Sequence, residues 1–91
     1  MKKLINKYEA IKAVISCTGL DTDDTWVLLI RDDGEYIETV LRTGGMKYDC
    51  YVDRSSGEVV GIDSEPCIDA DNSGYATCAS LMKELRYRAA A

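Results

Sequence analysis

The chain's reactive inventory is four cysteines, sixteen carboxylates and no histidine. Cys17, Cys50, Cys67 and Cys78 include no C-x-x-C pair, and without histidine the usual zinc spacings are absent. No basic side chain adjoins Cys50 on its face of a strand, so nothing lowers its pKa, and buried free thiols are expected. Disulfides would require an oxidising compartment. There is no G-x-S-x-G motif, and Gly44-Gly45 lacks the following lysine and the strand-to-helix setting of a phosphate loop. The carboxylate groups Asp21/Asp23/Asp24 and Asp32/Asp33 fall in turn segments, where they bond backbone amides. No catalytic residue and no cofactor are expected.

One stretch has metal-ligand spacing. Asp69-Ala70-Asp71-Asn72-Ser73-Gly74 places oxygen side chains at loop positions one, three and five and glycine at six, with Thr77 at nine. It resembles half of a dockerin or EF-hand calcium loop. Position twelve is Ser80, where a bidentate acid is wanted. Asp71, Asn72 and Ser73 are equally good helix caps, and capping is the preferred reading, with no metal expected.

Charge narrows the partner. Residues 20–74 carry four basic and fourteen acidic side chains, a net of −10, between a basic start and a basic end; the whole chain is −5. Phosphate binding rests on clustered Lys and Arg, so direct binding to nucleic acid or an anionic membrane is disfavoured. The first residues contain no apolar run long enough for a signal or a membrane span, which places the chain in the cytoplasm, or outside it as a fragment of something longer.

With 91 residues, 46% hydrophobic and 30% charged, the chain makes one small globular domain. Residues 1–66 read as a helix-plus-sheet unit, and 67–91 as a loop and amphipathic helix belonging to it. Asn6 and Glu9 form a capping box with Ile5 and Ala10 as a staple, predicting a helix over 7–18 that Gly19 ends. Ile11, Val14, Ile15 and Thr18 make its apolar stripe. Four strands follow as an antiparallel meander. Asp33-Gly34 and Gly44-Gly45 read as two-residue type I′ turns, pairing Trp26, Leu28 and Ile30 with Leu41, Thr39 and Ile37, and these in turn with Tyr48, Cys50 and Val52. A three-residue loop, Ser55-Ser56-Gly57, pairs Arg54 with Glu58 and sends Val60 and Ile62 to the core. A four-residue loop would send Val59 and Gly61 there and is not preferred.

The opposite face then carries Val27, Leu29, Glu38, Val40, Asp49 and Tyr51, a mixed apolar and acidic surface that is the candidate protein-binding site. Cys78, Leu81, Met82 and Leu85 form the stripe of a second helix over about 75–88. That helix could cover this face, lie beside the first helix, or mediate a homodimer.

Glu9-Ala10-Ile11 through Gly19-Leu20, Asp33-Gly34-Glu35-Tyr36, Tyr48-Asp49-Cys50-Tyr51-Val52-Asp53 and Ser56-Gly57-Glu58-Val59 together resemble a PepSY-type domain over residues 6–65. The terminal hairpin is the most specific part. The resemblance implies a cystatin-like α+β fold and a non-catalytic role, restraining a peptidase. A structural or self-associating domain, and a small acidic inhibitor of a nucleic-acid enzyme of the kind phages encode, are the alternatives.

Overall fold

In a computed structural model, which describes residues 4–67 and 76–90, the chain is an α+β protein. The elements run α1 (Lys7–Thr18), β1 (Trp26–Asp32), β2 (Tyr36–Thr43), β3 (Met46–Asp53), β4 (Val59–Pro66), β5 (Ala76–Thr77) and α2 (Cys78–Ala90). The sheet is antiparallel, ordered β4-β3-β2-β1-β5.

The first helix is built as its sequence dictates. Asn6 Oδ1 accepts from the Glu9 N–H at 2.8 Å and Glu9 Oε1 accepts from the Asn6 N–H at 3.2 Å, satisfying two amides of the first turn. Gly19, at φ +72°, donates its N–H back to the Ile15 carbonyl and ends the helix. Ala10, Ile11 and Val14 are fully buried, and Ile15 packs on the same core.

The β2–β3 hairpin also follows the sequence. Gly44 and Gly45 both take positive φ, as a type I′ turn demands, and the pairs Leu41–Tyr48, Thr39–Cys50 and Ile37–Val52 form. Either neighbour of this hairpin departs from expectation through a bulge. At the 33–34 turn no non-glycine residue has positive φ, which excludes type I′. Instead Asp32 Oδ1 accepts from the Gly34 N–H, and Asp33 Oδ1 accepts from the N–H groups of Glu35 and Tyr36. The loop lengthens to four residues, and Asp32 pairs with Ile37. Further along, Leu28 is the extra residue of a bulge, so Val27 pairs with Leu41 and Trp26 with Arg42. The run Trp26-Val27-Leu28-Leu29-Ile30 is apolar at every position, so alternation could not specify its face. Val27, not Trp26 or Leu28, therefore enters the core.

The β3–β4 hairpin combines both loop registers. Val52 pairs with Val59, as a four-residue loop requires, and Cys50 pairs with Ile62, as a three-residue loop requires; the bulge residue between them is Val60. Val59 packs on the core, and Val60 is 54% exposed. Asp53 donates to the Glu58 carbonyl and accepts from the Gly57 N–H, so Arg54 does not pair with Glu58. Arg54 instead ties the sheet end together: its N–H reaches the Glu35 carbonyl, its carbonyl accepts from Ile5, and its guanidinium meets Asp32 at 3.5 Å.

Both helices lie on one side of the sheet. The second, at the described part of its stripe, buries Cys78 and Leu81 and packs Met82 and Leu85 against the same core as Ile11 and Val14, beside α1. It begins at Cys78, three residues later than expected. The Thr77 hydroxyl accepts from the Ser80 N–H, and the carbonyls of Thr25 and Thr22 accept from Cys78 and Ala79. The calcium-like positions 69–74, and the caps proposed at Asp71, Asn72 and Ser73, lie outside the described residues.

Candidate functional site

The side of the sheet away from the helices is the surface left to do something. Its cross-strand rows follow from the register: Trp26–Arg42–Lys47–Glu65, Leu29–Val40–Asp49–Asp63 and Arg31–Glu38–Tyr51–Gly61. Of the six residues expected here, Leu29, Glu38, Val40, Asp49 and Tyr51 come together on two adjacent rows. Val27 is the correction: the Leu28 bulge turns it to the helix side, where it is fully buried.

The centre of this face is polar yet shielded. Glu38 is only 8% exposed although both described helices lie on the other side of the sheet. Its carboxylate accepts from Arg31 Nη2 at 2.8 Å through one oxygen and from the Tyr51 hydroxyl at 3.0 Å through the other. Cross-strand neighbours lie about 5 Å apart, so long side chains on adjacent rows shield one another from water. Hydrogen bonding to Glu38, then burial, raises the Tyr51 phenol above its ordinary value.

Asp49 is the unsettled member. Its Oδ1 is buried without a hydrogen-bond partner, and Asp63 stands directly opposite it in the register. Burial raises its pKa above the usual aspartate value, and the neighbouring Glu38 carboxyl and the charge of Asp63 push the same way against the opposing effect of Lys47. A shallow depression beside it is lined by Lys47, Asp49, Asp63, Ser64 and Glu65. Lys47 faces Glu65 at 3.7 Å.

Asp63 was absent from the expected site. A register signal existed, because the three-residue-loop pairing places it opposite Asp49. Its significance rests on the inaccessible, unpartnered Oδ1 of the half-buried Asp49, which no local pattern reports.

The thiols have no reactive setting. All four cysteines are unpaired; Cys50 and Cys78 are buried, which pushes each to a pKa of about 11, and Cys17 is exposed. Among the described residues no group of three His, Cys, Asp or Glu side chains could hold a metal ion, and no helix is long and apolar enough to cross a membrane.

No protein-family model matches the chain, and neither a curated protein nor a solved structure is significantly similar to it.

Proposed function

We propose that this chain is a non-catalytic protein-binding module that receives another protein on the open face of its sheet. The carrying observation is that both helices pack on the other side, leaving Leu29 41% exposed in one row with Val40 and the like-charged Asp49 and Asp63. An apolar side chain beside two directly opposed carboxylates, only partly offset by Lys47, suits a partner surface that brings its own apolar group ringed by Lys or Arg. The resemblance of the terminal hairpin to PepSY-type domains supports a restrained peptidase as that partner.

Affinity capture with a Leu29→Arg variant tests this, with Ser16→Arg on the exposed side of α1 as control. Leu29→Arg abolishes capture of the partner that the unaltered chain retains, and Ser16→Arg leaves it intact. Equal capture by both variants would sink the open face as the binding surface. Bound partner is also released by salt, since charge contributes to the contact.

A further inference from the structure

We infer that the outer edge of β4 takes up an extended segment of the partner in which basic and apolar residues alternate, giving the sheet one more strand. This deepens the binding function proposed above and rests on it. β4 is the terminal strand of the sheet, hydrogen-bonded to β3 on one side, and no described residue pairs with its other side. Such an edge is a template for a further strand.

The two sides of that edge differ in chemistry. On the helix side, Ile62 is 43% exposed although its register partner Cys50 is fully buried, because the helix layer stops short of β4 at this position. On the open side, Gly61, Asp63 and Glu65 succeed one another opposite Tyr51, Asp49 and Lys47. Successive residues of an added strand point to opposite faces. One set would therefore lie beside Ile62 and the other beside Asp63 and Glu65. An apolar residue completes the first side. A lysine or arginine beside Asp63 sits one strand spacing away, about 4.8 Å, and two spacings from Asp49. It would add positive charge to this directly opposed carboxylate pair, whose neighbour Lys47 is shared with Glu65.

The same features argue against a second copy of this chain as the occupant. The Val60 bulge and Pro66 bound the usable edge to Gly61–Glu65, and a second β4 would bring another Asp63 and Glu65 to an edge that is already acidic. The partner segment is thus short and basic.

The probe is a capped nine-residue peptide of alternating lysine and valine, added to the isotope-labelled full chain, with an alternating glutamate and valine peptide as comparison. The lysine peptide shifts the resonances of Gly61–Glu65 and slows amide exchange along β4, while the glutamate peptide does neither. Asp63→Lys lowers the affinity for the lysine peptide at least tenfold without lowering the melting temperature, since it also removes the repulsion with Asp49. No binding, equal binding of the two peptides, indifference to Asp63→Lys, or shifts centred on Leu29 instead of β4 would each overturn the inference. Should the peptide fail while Leu29→Arg still abolishes capture, the edge is wrong and the open face stands. Should β4 become protected while Leu29→Arg changes nothing, the face is wrong and the edge stands.

Discussion

The two faces of this sheet solve burial in different ways. On the helix side, Ile37, Leu41, Cys50 and Val52 lose their contact with water because α1 and α2 cover them. On the open side Glu38 and Val40 are nearly as buried although both described helices lie on the other side, and Glu38 is held there by Arg31 and Tyr51 from the neighbouring strands. The helix side is organised by apolar area and the open side by a hydrogen-bonded carboxylate. The difference teaches what each face leaves unpaired: the helix side buries a neutral hydroxyl, that of Thr39, whereas the open side holds a carboxylate oxygen, Asp49 Oδ1, without a hydrogen-bond partner.

The largest effect should appear in thiol chemistry, as a test of how well the helix side is covered: Cys17 lies on the outer surface of α1, and Cys50 and Cys78 lie beneath the helices. With native protein near pH 8, a disulfide reagent labels the exposed Cys17 at least about a hundredfold faster than Cys50 or Cys78, whose pKa of about 11 leaves little thiolate. Rapid native labelling of Cys50 would mean that the helix-side core opens. Next in size, Leu41→Ala costs about 3 kcal/mol in urea unfolding, because it leaves a cavity in the core, and Leu29→Ala on the open face costs less than about 1 kcal/mol. Equal losses would erase the distinction between covered and uncovered faces.

The open-face network gives smaller effects. Tyr51→Phe loses the hydrogen bond to the Glu38 carboxylate and should destabilise the protein slightly in urea unfolding. Asp49→Asn should do the opposite and stabilise the protein slightly at pH 7, because it removes a charge that sits beside Glu38 and opposite Asp63. The sign with pH follows from the raised native pKa. The native state holds the Asp49 proton more tightly than the unfolded chain does, so ionised Asp49 penalises folding above that native pKa. The advantage of Asp49→Asn is therefore full at neutral pH, shrinks as pH falls through the native pKa, and is gone below the ordinary aspartate value of about 3.8. Chemical denaturation at pH 7 and pH 3 measures it. A gain that persists at pH 3 would show that packing, not charge, is responsible.

Legibility in the sequence followed the strength of local rules. The Asn6–Glu9 box, the Gly19 stop and the Gly44-Gly45 turn are each set by residues within a few positions, and the structure contains all three with the predicted boundaries and register. The outer strands depend on competition. Asp32 and Asp33 captured turn amides and defeated the type I′ reading, and an unbroken apolar run let β1 shift its face at Leu28. The fifth strand has two residues and no period to detect. Five of the six expected open-face residues nevertheless share that face, because four of them lie on β2 and β3, where the register was secure, and Leu29 sits beyond the bulge in a position that the shift leaves outward.

The turn at Gly44-Gly45 also bears on the order in which the molecule assembles. It joins the two central strands across two residues, and hairpins of this kind close in about 1–10 μs. The outer strands add to it through bulged registers, and the contact of Arg54 with Ile5 must close nearly fifty residues of chain. The central hairpin is thus expected to close early, and β5, which pairs Trp26 with Thr77 and Val27 with Ala76 across about fifty residues, to join late. Substituting Gly45 should slow folding, whereas weakening the β1–β5 pairing should chiefly quicken unfolding. The two edges of the sheet therefore differ in assembly as well as in chemistry: β4 is added through a local hairpin, and β5 only when two distant parts of the chain meet.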